Sequence, residues 1–203
     1  MSQRQVVIKT ESLEVQTSNG ERLVSDLNFS IAKGEYLLLR GENGSGKSTI
    51  AQTLMGYHRY FTGKIEIRVD RRQIGYLPQL GNTRFFLPLT LSDVLGLEKR
   101  DPARRKRALS YGLLEDEQLR LSWNTASGGE RQKALILRTL LEDPALLILD
   151  EPFNHLDQSS RAKLTEVLNS LLESKLVGIL LISHEGEIPS RSPSMVIELG
   201  RSK

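Results

Sequence analysis

The stretch "LLLRGENGSGKST", Leu37–Thr49, constrains this chain more than any other. Its positions Gly41, Gly46, Lys47 and Ser48 satisfy the spacing G-x-x-x-x-G-K-[ST]. An apolar strand precedes the loop, and a helical pattern over Lys47–Met55 follows it. Gly44 and Gly46 permit the sharp turn that points successive backbone N–H groups into one concavity, a nest for anionic oxygens. The positive end of the helix adds to that field. Gly41, Glu42, Asn43, Gly44, Ser45, Gly46, Lys47, Ser48 and Thr49 are therefore read together as a cradle for the phosphates of a nucleotide. Lys47 is expected to reach the β- and γ-phosphates, and the Ser48 hydroxyl to ligate Mg²⁺.

A loop of this kind needs a buried strand on one side and a helix on the other, and the rest of the chain supplies more of both. Strand-length apolar runs appear as "VVIKT", "LVSDLNFSI", "EYLLLR", "KIEIRV", "IGYLP", "ALLILD", "GILLIS" and "SMVIEL". The buried ones are continuous rather than alternating, as in a parallel sheet covered on both faces. Helical patterns lie between them at Lys47–Met55, Gly128–Glu142 and Ser159–Glu173. In the last, Leu164, Val167, Leu168, Leu171 and Leu172 form one apolar face. Residues 89–125 carry little strand propensity and are read as a helical lobe inserted into an α/β core made of residues 1–88 and 126–203. The 203 residues thus form a single domain.

"LLILDEP" ends a second buried strand in two carboxylates. Asp150 is placed to hold Mg²⁺, and Glu151 to orient or deprotonate an attacking water. With the glycine loop upstream, the pair points to hydrolysis of a nucleoside triphosphate. Composition removes several other chemistries. Cysteine is absent, which excludes disulfides and thiolate nucleophiles. The three histidines, His58, His155 and His184, have no metal-ligand spacing. No apolar run approaches the ~20 residues that cross a bilayer. "MSQRQVVIKTE" lacks the features of a signal peptide, so the chain is expected to stay in the compartment where it is made. A net charge of +3 does not imply nucleic acid. The basic run "EKRDPARRKR", Glu98–Arg107, is read as a solvated helix face in preference to a surface for RNA, lipid or an acidic partner.

Over nearly its whole length the chain resembles the ATP-binding cassette (ABC) family of ATPases. The glycine loop resembles the Walker A motif and "LLILDE" the Walker B motif. "YLPQ" resembles the Q-loop, "ASGGE" the signature usually written LSGGQ, "NHLD" the D-loop and "LISHE" the switch-histidine motif, all in the family's order. The resemblance implies a P-loop NTPase core with a mostly parallel sheet flanked by helices, an N-terminal antiparallel β region and an inserted helical lobe. It makes Gln79 a contact to Mg²⁺ and the attacking water, His184 a γ-phosphate contact, and Asp157 a residue of the dimer interface. It also explains a second phosphate grip. In the family, the signature of one subunit covers the ATP held by the Walker A loop of another. Ser127, Gly128 and Gly129, at a helix N-terminus, offer a hydroxyl, N–H groups and a dipole for that purpose. An ATP-dependent head-to-tail dimer is expected, with a second cassette, a homodimer being the expected form.

Two features depart from the family's pattern. Ala126 and Glu130 replace the usual Leu and Gln, and both are read as lying beside the Ser-Gly-Gly grip. The stretch Val15–Gly20, "VQTSNG", holds no aromatic ring to stack on adenine, which leaves the preference for ATP over GTP open. Hydrolysis is still expected. The load is read as separate membrane-spanning subunits of a transporter, which would place the chain in the cytoplasm at the inner face of the cell membrane, with no direct contact to nucleic acid. "FFLPLTLSDVLGL", Phe85–Leu97, is suited to docking such a subunit or to forming the lobe's own core. The alternative load is a ribosome, nucleic acid or protein complex served by a soluble cassette. "FLPLTLSDVL" is similar to the corresponding stretch in zinc and manganese transporter cassettes, a lean toward a metal cation.

Overall fold

Alternation along three buried strands organises the molecule. The structure, a computed structural model, describes residues 4–81, 86–97, 101–184 and 192–200. Strands β3 (Tyr36–Gly41), β5 (Ile74–Leu77), β6 (Leu146–Asp150), β7 (Gly178–Ile182) and β8 (Met195–Leu199) form a parallel sheet in the order β5-β6-β7-β3-β8. Successive side chains on a strand point to opposite faces. Leu37, Leu39, Leu146, Ile148, Leu180 and Ile182 accordingly enter one core, and Leu38, Leu147, Leu149, Ile179 and Leu181 the other. Both faces are covered, which is why these strands read as continuous apolar runs.

The first core is closed by an antiparallel sheet, β2-β1-β4, made of β1 (Val6–Gln16), β2 (Arg22–Ala32) and β4 (Phe61–Ile67), and by helix α1 (Lys47–Leu54). The second is closed by α4 (Gly128–Leu140) and α5 (Gln158–Glu173). Helix α5 buries Leu164, Val167, Leu168 and Leu172 and leaves Leu171 partly buried, the face expected from its spacing.

Between β5 and α4 lie α2 (Leu91–Val94), α3 (Pro102–Ser110) and a 3₁₀ turn at Gln118–Arg120. Thr90 caps α2 in a reciprocal box with Asp93, and Asp101 caps α3 by accepting from Arg104 N–H. Leu91, Val94, Leu95 and Leu97 are buried in the second core, whereas Phe86 and Leu87 are exposed. The apolar stretch therefore divides: its later half is core, its earlier half faces out. Phe85 lies outside the described residues.

The basic run belongs to the packing of α3. Arg104 bonds Glu142, Arg105 bonds Asp116, and Arg107 bonds Asp143 and the Leu140 carbonyl. Its guanidinium groups fasten the helix to the end of α4 and to the following turn, where cations complement unpaired helix carbonyls. The reading of a merely solvated face is corrected in this respect, while Glu98, Lys99 and Arg100 lie outside the described residues.

Candidate functional site

Register brings the site together. Leu39 pairs with Ile182, and Ile182 with Asp150, so β3, β7 and β6 end in one row at their carboxyl edge. The chain leaves that row as the glycine loop after β3, as Ser183 and His184 after β7, and as Glu151 after β6. Ligands of open α/β sheets bind at this edge.

In the loop, Gly41, Gly44 and Gly46 all take positive φ, at 158°, 85° and 91°. A side chain on Gly41 would stand 2.5 Å from Ser45 Oγ and 2.8 Å from the Leu199 carbonyl. Only glycine lets Ser45 tuck in there. Lys47, 6% exposed, donates from Nζ to the carbonyls of Gly41 (2.7 Å) and Glu42 (2.9 Å). Its ammonium therefore lies across the mouth of the nest. Asn43, Gly44, Gly46, Lys47, Ser48 and Thr49 line a cleft of about 520 Å³, which also takes in Gln79 and Glu151.

Asp150 is 1% exposed, and burial pushes its carboxyl above the ordinary aspartate range, against the pull of a hydrogen bond from Ser48. Its Oδ1 is buried without a hydrogen-bond partner. A buried, orphaned carboxylate oxygen beside a serine hydroxyl is a pair of hard oxygen donors, which fits Mg²⁺. Glu151 sits next to it in the left-handed region, φ 52°, a strained conformation for a residue with a side chain. Its N–H donates to Ile182 O at 2.9 Å, and its Oε2 lies 2.8 Å from His184 Nδ1. Strand β7, which separates β3 from β6, thus delivers the histidine onto the glutamate. Tyr76, on β5, has its phenol pushed up to about 12 by burial and by the Asp150 and Tyr57 groups, so it remains neutral.

The second grip is built elsewhere. Ser127, Gly128 and Gly129 open α4 and line none of this cleft. They pack on the turn that follows Glu151: a side chain on Gly129 would meet His155 O at 2.8 Å, and one on Gly128 would meet the His155 ring at 3.6 Å. Gln132, fully buried, donates to Pro152 O at 3.1 Å, and Lys133 pairs with Asp157 at 3.7 Å. Asp157 caps α5, accepting from Ser160 N–H (2.8 Å) and Ser159 Oγ (2.7 Å), bonds that hold its carboxyl well below the usual range.

Glu130 corrects the expectation that it stands beside the grip. Its Oε2 accepts from Ser127 N–H and from Ser127 Oγ–H, each at 2.8 Å, while Ser127 Oγ accepts from Glu130 N–H at 3.2 Å. This is a capping box, and it engages the serine groups assigned to a partner's phosphate. Spacing could have revealed it, since S-x-x-E is the box's signature. The seat of His155 against the two glycines, and the presence of Leu23 in the cleft wall, had no local signal, because both are made by contacts between distant segments; Thr17, also in that wall, falls in the Val15–Gly20 stretch that the family's pattern puts beside the base.

A glycine-loop cradle, a buried acidic strand end and a Glu–His pair at one sheet edge define a P-loop nucleoside triphosphatase. The family model for ABC transporters matches residues 24–154. The chain is 35% identical over 182 residues to zinc import ATP-binding protein ZnuC 1 of Hahella chejuensis, covering 90% of this chain and 70% of that protein. Among solved structures it is similar to an inward-facing ABC transporter assigned to the metal-chelate type, with a TM-score of 0.81, 26% identity, and 97% and 81% of the two chains covered. It is also similar to a bacterial ABC transporter cassette solved as a dimer, with a TM-score of 0.80, 25% identity, and 95% and 94% covered. The chain belongs to the ABC transporter family, as an ATP-binding, ATP-hydrolysing subunit.

Proposed function

We propose that the chain hydrolyses MgATP at the carboxyl edge of β3, β7 and β6, within a head-to-tail pair of cassettes, and so drives separate membrane-spanning subunits that import a metal cation, zinc in the first instance. The observation that carries this is the convergence of Lys47, Ser48, Asp150, Glu151 and His184 on one row of strand ends. Lys47 and the loop N–H groups hold the β- and γ-phosphates. Asp150 and Ser48, with Gln79, hold the cation, which neutralises charge on the triphosphate when bound. Glu151 takes or orients a proton of the attacking water, and His184 fixes the carboxylate and faces the γ-phosphate. Ser127, Gly128 and Gly129 cover the ATP of the other subunit, and Asp157 stands at the interface.

The chain acts as one ATPase domain, residues 89–125 being the lobe that meets the membrane subunit. Exposed Phe86 and Leu87, close in sequence to Gln79, suit that contact. The pairing of Arg104, Arg105 and Arg107 with acidic groups gives these cations a packing role, which supports the reading without nucleic acid. Among the described residues no helix is long and apolar enough to cross a membrane, so a membrane location depends on partners. The name of the Hahella chejuensis relative supports zinc as the cargo.

The test is recovery of partners by tagged Glu151→Gln protein from its native cell extract with ATP and Mg²⁺. Detergent-solubilised membranes are expected to yield a multi-span protein, and cells lacking the chain to lose zinc uptake. Ribosomes or DNA-bound proteins with no membrane partner would overturn the reading.

A further inference from the structure

We propose that the segment joining α1 to β4, together with the 3₁₀ turn that precedes β5, is a contact surface for the anionic headgroups of a lipid bilayer. This face is distinct from the nucleotide cleft, and none of its residues lines that cleft.

Three basic and three aromatic side chains make up the face. Gly56, in the left-handed region at φ 77°, closes α1, its N–H donating to Thr53 O at 3.0 Å. Tyr57 N–H donates to Gln52 O at 2.8 Å, and the chain then leaves the helix. The turn is fastened on two sides. On one, Tyr57 packs on Tyr76 of β5 with ring centroids 6.2 Å apart, and a side chain on Gly56 would stand 3.8 Å from Arg71 Nη2. Arg71 opens the 3₁₀ turn Arg71–Gln73, which leads straight into β5. On the other side, His58 Nε2 lies 2.8 Å from Gln16 O, and Tyr60 packs on His58 edge-to-face with centroids 5.6 Å apart. Phe61 pairs with Val15. Residues 56–61 therefore bridge the start of β5 to the end of β1.

The bridge exposes what the rest of the molecule hides or pairs. Tyr57 is 70% exposed, Tyr60 53% and Phe61 37%, and among the described residues the one other exposed Phe, Tyr or Trp is Phe86. Arg59, Arg71 and Arg72 are exposed and have no acidic partner among the described residues. Arg22, Arg68, Arg104, Arg105 and Arg107 are each paired. Asp70, next to Arg71 in the chain, accepts from Arg72 N–H at 2.8 Å as the cap of the 3₁₀ turn.

Cations without a counter-charge beside phenol rings open to water have a natural complement in the headgroup layer of a membrane. Tyrosine settles there with its ring toward the acyl chains and its hydroxyl in water, while arginine meets lipid phosphates. Membership of the ABC transporter family brings a bilayer within reach of the chain. Nucleic acid is the other polyanion, but its backbone is followed by an extended basic surface. The arginines of α3, in the densest basic run of the chain, are already paired.

The experiment is flotation of the full chain with vesicles of phosphatidylcholine alone and of phosphatidylcholine mixed equally with phosphatidylglycerol. Each arginine near an anionic surface is expected to contribute about fivefold, so the anionic vesicles should bind on the order of a hundredfold more tightly. Arg59→Ala, Arg71→Ala and Arg72→Ala should each lower anionic binding by roughly fivefold. Salt at about 0.5 M should abolish the preference. Tyr57→Ser should weaken binding to both kinds of vesicle and keep their ratio. Lys106→Ala removes an exposed cation of α3 and should leave binding unchanged. ATP hydrolysis by all five variants in solution should match wild type, which reports that they fold. Equal binding to the two kinds of vesicle would overturn the proposal. An equal loss in Lys106→Ala would overturn it too, since the attraction would then be to the net charge of the chain rather than to this face. Tighter binding to single-stranded RNA than to anionic vesicles, lost in the same three arginine variants, would assign the face to nucleic acid instead.

Discussion

His184 Nδ1 and Glu151 Oε2 stand 2.8 Å apart although 33 positions separate them in sequence, and each is the first or second residue beyond a neighbouring strand. The pairing ties the residue proposed as proton acceptor to the histidine proposed to face the γ-phosphate. Residues that act as one unit do not contribute additively. Glu151→Gln and His184→Ala are each expected to lower kcat by ~10²–10⁴, and the double variant to lose little more than Glu151→Gln alone. Single-turnover kinetics checks this, and multiplicative losses would dissociate the pair. Glu151→Gln should also accumulate an ATP-dependent dimer by light scattering.

Asp150 makes the opposite bargain with stability. Its buried Oδ1 has no partner, and burial disfavours its charge. Removing a charge that costs desolvation is neutral or stabilising. Asp150→Asn is therefore expected to melt at or slightly above the wild-type temperature without nucleotide. With ATP and Mg²⁺ the variant should lose the upward shift shown by the wild type, since ligand binding stabilises only the state that binds. Scanning calorimetry with and without the ligands distinguishes the two, and an unliganded variant melting several degrees lower would refute the argument.

The two signature glycines separate folding from assembly. A methyl on Gly129 meets His155 O at 2.8 Å, whereas one on Gly128 finds the His155 ring at an ordinary 3.6 Å. Gly129→Ala is expected to destabilise the free chain by about 1–3 kcal/mol, as overpacking does. Gly128→Ala should leave the melt of the free chain nearly unchanged and, where the grip acts on a partner's phosphate, weaken the ATP-dependent dimer. A Gly128→Ala protein that dimerises normally would remove Gly128 from that grip.

Much of this was legible in the sequence, and the reason differs from element to element. The run "LLIL" that leads into Asp150 is apolar at every position because β6 is covered on both faces, so strand and sheet type could be read together. The cradle was legible because its chemistry is local: Gly41 to Ser48 make their turn with their own backbone. Glu130 was misjudged by reading it as lying beside the Ser-Gly-Gly grip rather than as the N3 residue of a capping box on Ser127. The arginines of α3 were misjudged because Glu142, Asp143 and Asp116, their partners, come from other segments. Nothing in a linear pattern announces such pairs.

Arg107 tests that correction. Its guanidinium meets both carboxylate oxygens of Asp143 and the Leu140 carbonyl, and the contact holds the Asp143 carboxyl below its usual range. The side chains are 38% and 74% exposed, so solvent screens much of the attraction. Arg107→Ala is expected to cost roughly 0.5–1 kcal/mol, lowering the melting temperature by about 1–4 °C. The difference should shrink in about 0.5 M salt. A surface for nucleic acid would behave otherwise, with stability untouched and retention on an RNA column lost.

Glu130 gives the cap on α4 a pH dependence of definite sign. Hydrogen bonds from Ser127 N–H and Oγ–H, helped by burial-opposed contacts to Gln118 and Lys133, hold its carboxyl below the ordinary value of 4.5. A group depressed in the folded state binds its proton more readily when unfolded, so its stabilisation is present above that value. It is lost as pH falls below 4.5 and is gone beneath the depressed folded value. Glu130→Gln keeps a capping-box residue but cannot titrate. Wild type is expected to be more stable than the variant by about 0.5–1 kcal/mol at neutral pH, with the gap closing in urea melts taken toward pH ~3. The same substitution takes a negative charge away from the serine proposed to face a partner's phosphate, so the ATP-bound dimer should tighten as the isolated chain weakens. A gap that is constant with pH would mean that the charge of Glu130 is not what caps α4.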